Sequence, residues 1–185
     1  MRVGTADALR RPGGPLYVLD GVAPVIAADA WVAPTAAVIG RVEIGSRSGV
    51  WFHCVLRGDT NFIRVGARVN IQDGTIVHVN AGHFPTIIED DVTIGHAAIV
   101  HACTLRARAF VAMGATVLDG AVIEAGGVLA AGSVLPPGKV IGPGELWMGS
   151  PAKLKRVLSV EERAEFDRTA VHYAELAGRY ARGLG

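Results

Sequence analysis

A period of six governs this chain. Ile26, Val32, Val38, Ile44, Val50 and Leu56 form one unbroken series of aliphatic residues six apart, and Leu105, Val111, Val117, Ile123, Leu129, Leu135 and Ile141 form a second. Two shorter series lie between them: Val65, Ile71, Val77 and Ile88, Ile94, Val100. Six matches neither the 3.6 of an amphipathic helix nor the 2 of an alternating strand. It matches a hexapeptide repeat, in which each unit is a short strand plus a corner and three units close one triangular coil. The expected fold is an all-β solenoid, a parallel β-helix with the aliphatic series filling its interior. Small residues directly after that series (Gly45, Gly66, Gly95, Ala112, Ala130) are expected to ease the corners.

The breaks in the period are as informative as the period. Leu56 to Val65 is a step of nine, Val77 to Ile88 of eleven and Val100 to Leu105 of five. Eleven leaves five surplus residues, so a loop is predicted near Val79 to Pro85, and loops on rigid scaffolds favour function. Beyond Ile141, Gly142-Pro143-Gly144 and Ser150-Pro151 close the repeat region. Ser159 and Glu162 then form a capping box, and Leu158, Phe166, Ala170, Tyr173, Ala177 and Tyr180 recur at helical spacing. The layout is an N-terminal arm at 1–20, a β-helix at 21–150 and a C-terminal helix at 151–185. The apolar face of that helix belongs on the flank of the β-helix or on a neighbouring subunit. Flat sides predict side-by-side assembly.

Composition excludes several classes of partner. A formal charge of +1 gives no field that would recruit nucleic acid or an anionic membrane. Mean hydropathy is high at +0.36, yet no apolar run approaches the roughly 20 residues of a membrane-spanning helix. The stretch Leu16 to Leu19 is too short for a secretory signal, so the expected address is cytoplasmic. Cys54 and Cys103 lack any CxxC spacing and are expected to be buried thiols.

The histidines have definable phases. His78 follows Val77 and His101 follows Val100, three repeat steps apart, which is one coil. They should stack on one edge of adjacent coils, about 4.8 Å apart in backbone, a spacing that suits two ligands of one metal. His96 sits two residues after Ile94, at a different corner, and could reach the pair only from a neighbouring subunit of a threefold assembly. Three imidazoles with an open fourth position make a catalytic zinc site. His53 and His172 have no partner in this pattern, and His83 falls on the predicted loop, where an auxiliary role is open. Upstream, Arg57, Asp59 and Asp73 supply a guanidinium and two carboxylates able to hold a subunit contact together, while Asn70 and Gln72 are amides able to orient a metal-bound water.

The strings VLRGD at 55–59, NIQDGTIVH at 70–78, IGHAAIVHACTL at 94–105 and WMGSPAK at 147–153 resemble the γ-class carbonic anhydrases and their bacterial γ-carbonic-anhydrase-like relatives. The resemblance runs over roughly residues 18–180. It implies a left-handed parallel β-helix, a homotrimer and three zinc sites at the subunit interfaces, with His78 and His101 from one subunit and His96 from the next. Gln72 and Asn70 would then orient the metal-bound hydroxide and the CO2 or bicarbonate. Arg57, Asp59 and Asp73 would form the interface network, and Tyr173 would correspond to a family tyrosine near the site. Fe2+ or Co2+ could stand in place of Zn2+.

Two departures matter. The best-characterised archaeal members carry a long acidic loop ahead of the middle histidine and a glutamate directly after the Asp59 position; here the loop is short and neutral, and the next residue is Thr60. The carboxylates that would shuttle protons are missing, so the implied activity is a slow, zinc-dependent, reversible hydration of CO2. The rival readings are an acyl-CoA thioesterase or acyltransferase on the same fold, and a non-catalytic metal-binding assembly protein.

Overall fold

The computed structural model describes residues 14–183. The outer part of the expected arm, residues 1–13, lies outside the described residues. Leu16–Tyr17 already pairs in parallel with Val38 and Ile39, so this part of the chain belongs to the first coil.

The chain winds as a left-handed parallel β-solenoid of about seven turns, closed by one C-terminal helix. Its strands are mostly two residues long because a hexapeptide leaves no more between corners. Three faces result, each an aliphatic ladder. The first stacks Val38, Leu56, Val77, Val100, Val117 and Leu135. The second stacks Ile44, Val65, Ile88, Leu105, Ile123 and Ile141. The third stacks Val32, Val50, Ile71, Ile94, Val111 and Leu129. These side chains are buried and form one continuous core.

The corners differ from the expectation. The residue that takes positive φ stands three places after the interior aliphatic, not directly after it: Arg47, His53, Arg68, Asp91, Ala97 and Arg108, then Gly114, Gly120, Gly126, Gly132, Gly138 and Gly144. The small residues directly after the aliphatic series answer to coil spacing instead. A Cβ on Gly95 would lie 2.6 Å from the backbone nitrogen of Met113 in the next coil.

Each break in the period has a structural form. At the step of nine the strand Val55–Val65 runs straight through the corner and joins the first and second faces into one sheet. At the step of eleven the chain leaves the coil between Ile76–His78 and Thr86–Ile88, as the loop expectation required. At the step of five, Ala102 takes the left-handed corner conformation one residue early.

Glu145–Gly149 stacks in parallel on Val128–Leu129 as the last rung of the third face and then pairs with an antiparallel strand, Ala152–Val157, which the sequence reading had not distinguished from the helix. Helix α1 then spans Val160–Gly183. Its capping box is formed: the Ser159 N–H donates to Glu162, and the Glu162 N–H donates to Ser159 Oγ. Within the chain the helix lies along the third face of the solenoid. Tyr173 and Tyr180 pack edge-on against Trp51 at 5.3 and 5.1 Å, and Phe166 lies 4.8 Å from Phe110. Among the described residues, no helix is long and apolar enough to cross a membrane.

Candidate metal centre

His78 and His101 end the strands Ile76–His78 and Ile99–His101, which pair residue for residue, so the phase argument places them correctly one above the other. Nδ1 of His78 faces Nε2 of His101 at 3.1 Å. The far nitrogen of each ring meets a carboxylate: His78 Nε2 lies 3.0 Å from Asp59, and His101 Nδ1 lies 2.5 Å from Asp119. Asp59 is also held by the Arg57 guanidinium and by the Thr60 N–H at 2.7 Å. Burial alone would push the Asp59 carboxyl up, but the Thr60 N–H, His78 and Arg57 together hold it well below the usual carboxylate range. Asp119 behaves alike, burial being outweighed by His101 and Asn80.

A neutral imidazole carries one N–H and a carboxylate can only accept, so with each ring donating to its own carboxylate the two facing nitrogens present lone pairs 3.1 Å apart, an arrangement that a shared cation relieves. Two nitrogens bound tetrahedrally at about 2.0–2.1 Å would lie roughly 3.3 Å apart, so the donor set fits zinc.

His96 stands at the corner between the third and first faces. It meets Asp73 at 2.9 Å and does not join the other two histidines within the chain. Asp73 also accepts the Phe52 N–H at 3.2 Å. The sequence reading grouped Asp73 with Arg57 and Asp59; within one chain the structure separates them, with Asp73 on His96 and the other two beside His78.

Asn70 and Gln72 are buried near this second corner, Asn70 on the third face that α1 covers. Gln72 Nε2 donates to Asn70 Oδ1 at 3.0 Å, and Asn70 Nδ2 donates to Thr93 Oγ1 at 2.8 Å. Tyr173 packs edge-on against Trp51, and burial, reinforced by the Asp73 carboxylate, pushes its hydroxyl up.

Sequence reasoning missed Asp119, Asn80 and Thr93. Asp119 was within reach of the phase argument: Val117 stacks on Val100, so the residues after Val117 occupy the His101 corner one coil on. His53 and His172 stay apart from the centre. His53 takes a corner with φ 60°, its N–H donating to Thr35, and His172 packs on Tyr173. His83 sits on the 79–85 loop beside Phe84 and is exposed. Both cysteines are buried and unpaired, as expected.

No protein-family profile matches the chain. Among curated proteins, "Gamma carbonic anhydrase 3, mitochondrial" of Arabidopsis thaliana is 53% identical over 163 residues, covering 85% of this chain and 63% of that protein. The "Carbonic anhydrase" of Geobacillus kaustophilus is 44% identical over 169 residues, covering 91% of this chain and 92% of that one. The chain spans about three fifths of the length of the plant relatives. Among solved structures, a hexapeptide transferase family protein from Anaplasma phagocytophilum superposes with a TM-score of 0.86 at 45% identity, covering 89% of this chain and 97% of that one.

Proposed function

The chain belongs to the γ carbonic anhydrase family, and on that premise we propose that it hydrates CO2 reversibly to bicarbonate, using zinc held between subunits of a homotrimer, with Fe2+ or Co2+ as alternative ions. The observation that carries this reading is the pair of imidazole nitrogens facing each other at 3.1 Å, each ring fixed from behind by a carboxylate. The assembly follows from where the half-sites stand. The first face is bounded at one edge by the His96 corner and at the other by the His78 and His101 corner, and between them Ile76 and Ile99 are 39% and 43% exposed. A second copy packed on this apolar strip would bring one chain's His96 corner towards its neighbour's histidine pair.

Zinc held by three neutral imidazoles lowers the pKa of its water from 15.7 to about 7 and so supplies a nucleophile for CO2 at neutral pH. The chain's own residues do the rest. Asp59, Asp73 and Asp119 each hold one imidazole so that its other nitrogen is free to bind. Gln72 has spent an amide proton on Asn70, which leaves its carbonyl oxygen to accept from the attacking water and fix its direction. Arg57 braces Asp59. For proton release, neither Thr60 nor the 79–85 loop provides a carboxylate, so the proton passes to buffer or to His83 and turnover is slow.

The buried, unpaired thiols suit a reducing compartment, with burial pushing Cys54 up to about 12, and they support a cytoplasmic address; the Arabidopsis relative is named mitochondrial. An acyl-CoA thioesterase or acyltransferase is the second reading, to which the Anaplasma structure's name lends only the word transferase, and a non-catalytic metal-binding subunit is the third.

One purified sample separates them: metal analysis, stopped-flow CO2 hydration across an imidazole-type buffer series, and acyl-CoA hydrolysis. We expect zinc, three chains in sedimentation, and a weak hydration rate that climbs with buffer concentration. A metal-loaded trimer with no hydration at any buffer concentration would overturn the anhydrase reading, and acyl-CoA turnover would then favour the second.

A further inference from the structure

We propose that Asp119, held by Asn80 from the 79–85 loop, is the positioning residue that keeps His101 protonated on Nδ1 and its Nε2 free for the metal. This rests on the metal reading above and assigns a role to residues outside the expected site. Asp119 Oδ1 lies 2.5 Å from His101 Nδ1, and its second oxygen accepts from Asn80 Nδ2 at 2.5 Å. The carboxylate therefore has both oxygens engaged, one on the ligand and one on an anchor.

The anchor is itself tied down. The Asn80 N–H donates to the Phe84 carbonyl at 3.1 Å and closes the loop, while Asn61 Nδ2 donates to the Asn80 carbonyl at 3.3 Å. Thr86 Oγ1 donates to the His78 carbonyl at 2.5 Å and accepts from the Ala102 N–H at 3.0 Å, joining the ends of both histidine strands. The Phe84 ring packs over Gly120, where a Cβ would come within 3.2 Å of it. The five surplus residues thus form a clamp that reaches across a coil to the residue behind His101.

Charge decides why the residue is an aspartate. A carboxylate only accepts, so it demands an N–H from Nδ1; an asparagine can turn its NH2 to the same nitrogen and lets the proton move to Nε2, where it would block the metal position opposite His78.

The test uses the whole chain. Long-range proton–nitrogen spectra of the metal-stripped protein, at a pH where imidazoles are neutral, report the His101 tautomer, and chelator competition reports zinc affinity. Wild type should show His101 as Nδ1–H. Asp119→Asn should move it to Nε2–H and weaken zinc about 10- to 100-fold, with circular dichroism and oligomeric state unchanged. Asn80→Ala, which frees the carboxylate without removing it, should give a mixed tautomer population and a smaller loss, and it decides the matter if Asp119→Asn does not fold. A wild-type His101 already protonated on Nε2, or an Asp119→Asn affinity within about twofold of wild type, would overturn the proposal. A wild type that takes up no zinc would instead refute the metal reading, while the tautomer spectra would still judge Asp119.

Discussion

The two halves of the solenoid obey the same repeat with different strictness. From Leu105 to Ile141 the step is six throughout, and every left-handed corner from residue 114 to 144 is glycine. From Leu56 to Leu105 the steps of nine, eleven and five interrupt it, and the left-handed corner positions include Arg68, Asp91, Ala97 and Ala102. Side chains at corners make contacts that glycine cannot: Arg68 grips Asp91 of the next coil bidentately at 2.6 and 2.8 Å. Non-glycine residues held at positive φ cost on the order of 1 kcal/mol each. The irregular half therefore carries strained corners, as Arg47, His53 and Arg108 do outside it, but it adds the loop and carries all three candidate ligands. Asp119 is the residue of the regular half that joins the site.

This contrast separates metal binding from stability, and the largest effect should fall on metal alone. His96→Ala should weaken zinc more than about 100-fold, nearly as much as His78→Ala or His101→Ala, because two imidazoles and water hold the ion far less well than three. The melting temperature of the metal-free protein should hardly move, since His96 is a half-exposed corner residue. Metal analysis after gel filtration reads the first quantity and thermal denaturation the second. If His96→Ala kept stoichiometric zinc, the crossing of the subunit boundary would be wrong.

Leu129→Ala is the mirror experiment. Leu129 is fully buried in the regular half, two coils from the nearest candidate ligand on its face. Truncation should cost about 3 kcal/mol through lost transfer energy and a cavity, read as a shift in the denaturant midpoint. A solenoid couples mainly neighbouring coils, so zinc affinity should stay near wild type. A comparable loss of affinity would show that the halves are not separable.

How much of this was legible follows the same division. The aliphatic period fixes the three ladders, and the phase of His78 and His101 predicts their stacking, because register in a solenoid is set by counting. What counting could not reach is side-chain direction and local termination. The hydrogen bond that Asp119 accepts from His101 across adjacent coils is a matter of side-chain direction, and the corner taken one residue early at Ala102 is one of local termination. The strand Ala152–Val157 has no six-residue signature, since it pairs antiparallel with Glu145–Gly149 instead of stacking on a coil. Gly45, Gly66 and Gly95, expected to ease the corners, answer instead to the close approach of the next coil, while positive φ falls two residues further on, where the sequence shows no common residue type in the first coils.

The smallest predicted effect exchanges the corner chemistry of the two halves. Gly132 has φ 64° and open space where a Cβ would project, so Gly132→Ala tests backbone strain without a clash. The left-handed conformation costs a residue with a Cβ about 1–2 kcal/mol, partly offset by roughly 0.4–1 kcal/mol from a less flexible unfolded chain, so a net loss of about 0–1.6 kcal/mol is expected. Ala97, with φ 56°, occupies the equivalent corner next to His96 in the irregular half. Ala97→Gly should therefore stabilise the metal-free protein by a similar amount while giving the His96 corner more freedom, so that zinc affinity does not rise with stability. Paired thermal melts and chelator competition on both variants decide it. If Ala97→Gly lowered the melting temperature, Ala97 would be contributing packing that outweighs its strain, and the irregular half would owe its non-glycine corners to stability rather than to the site.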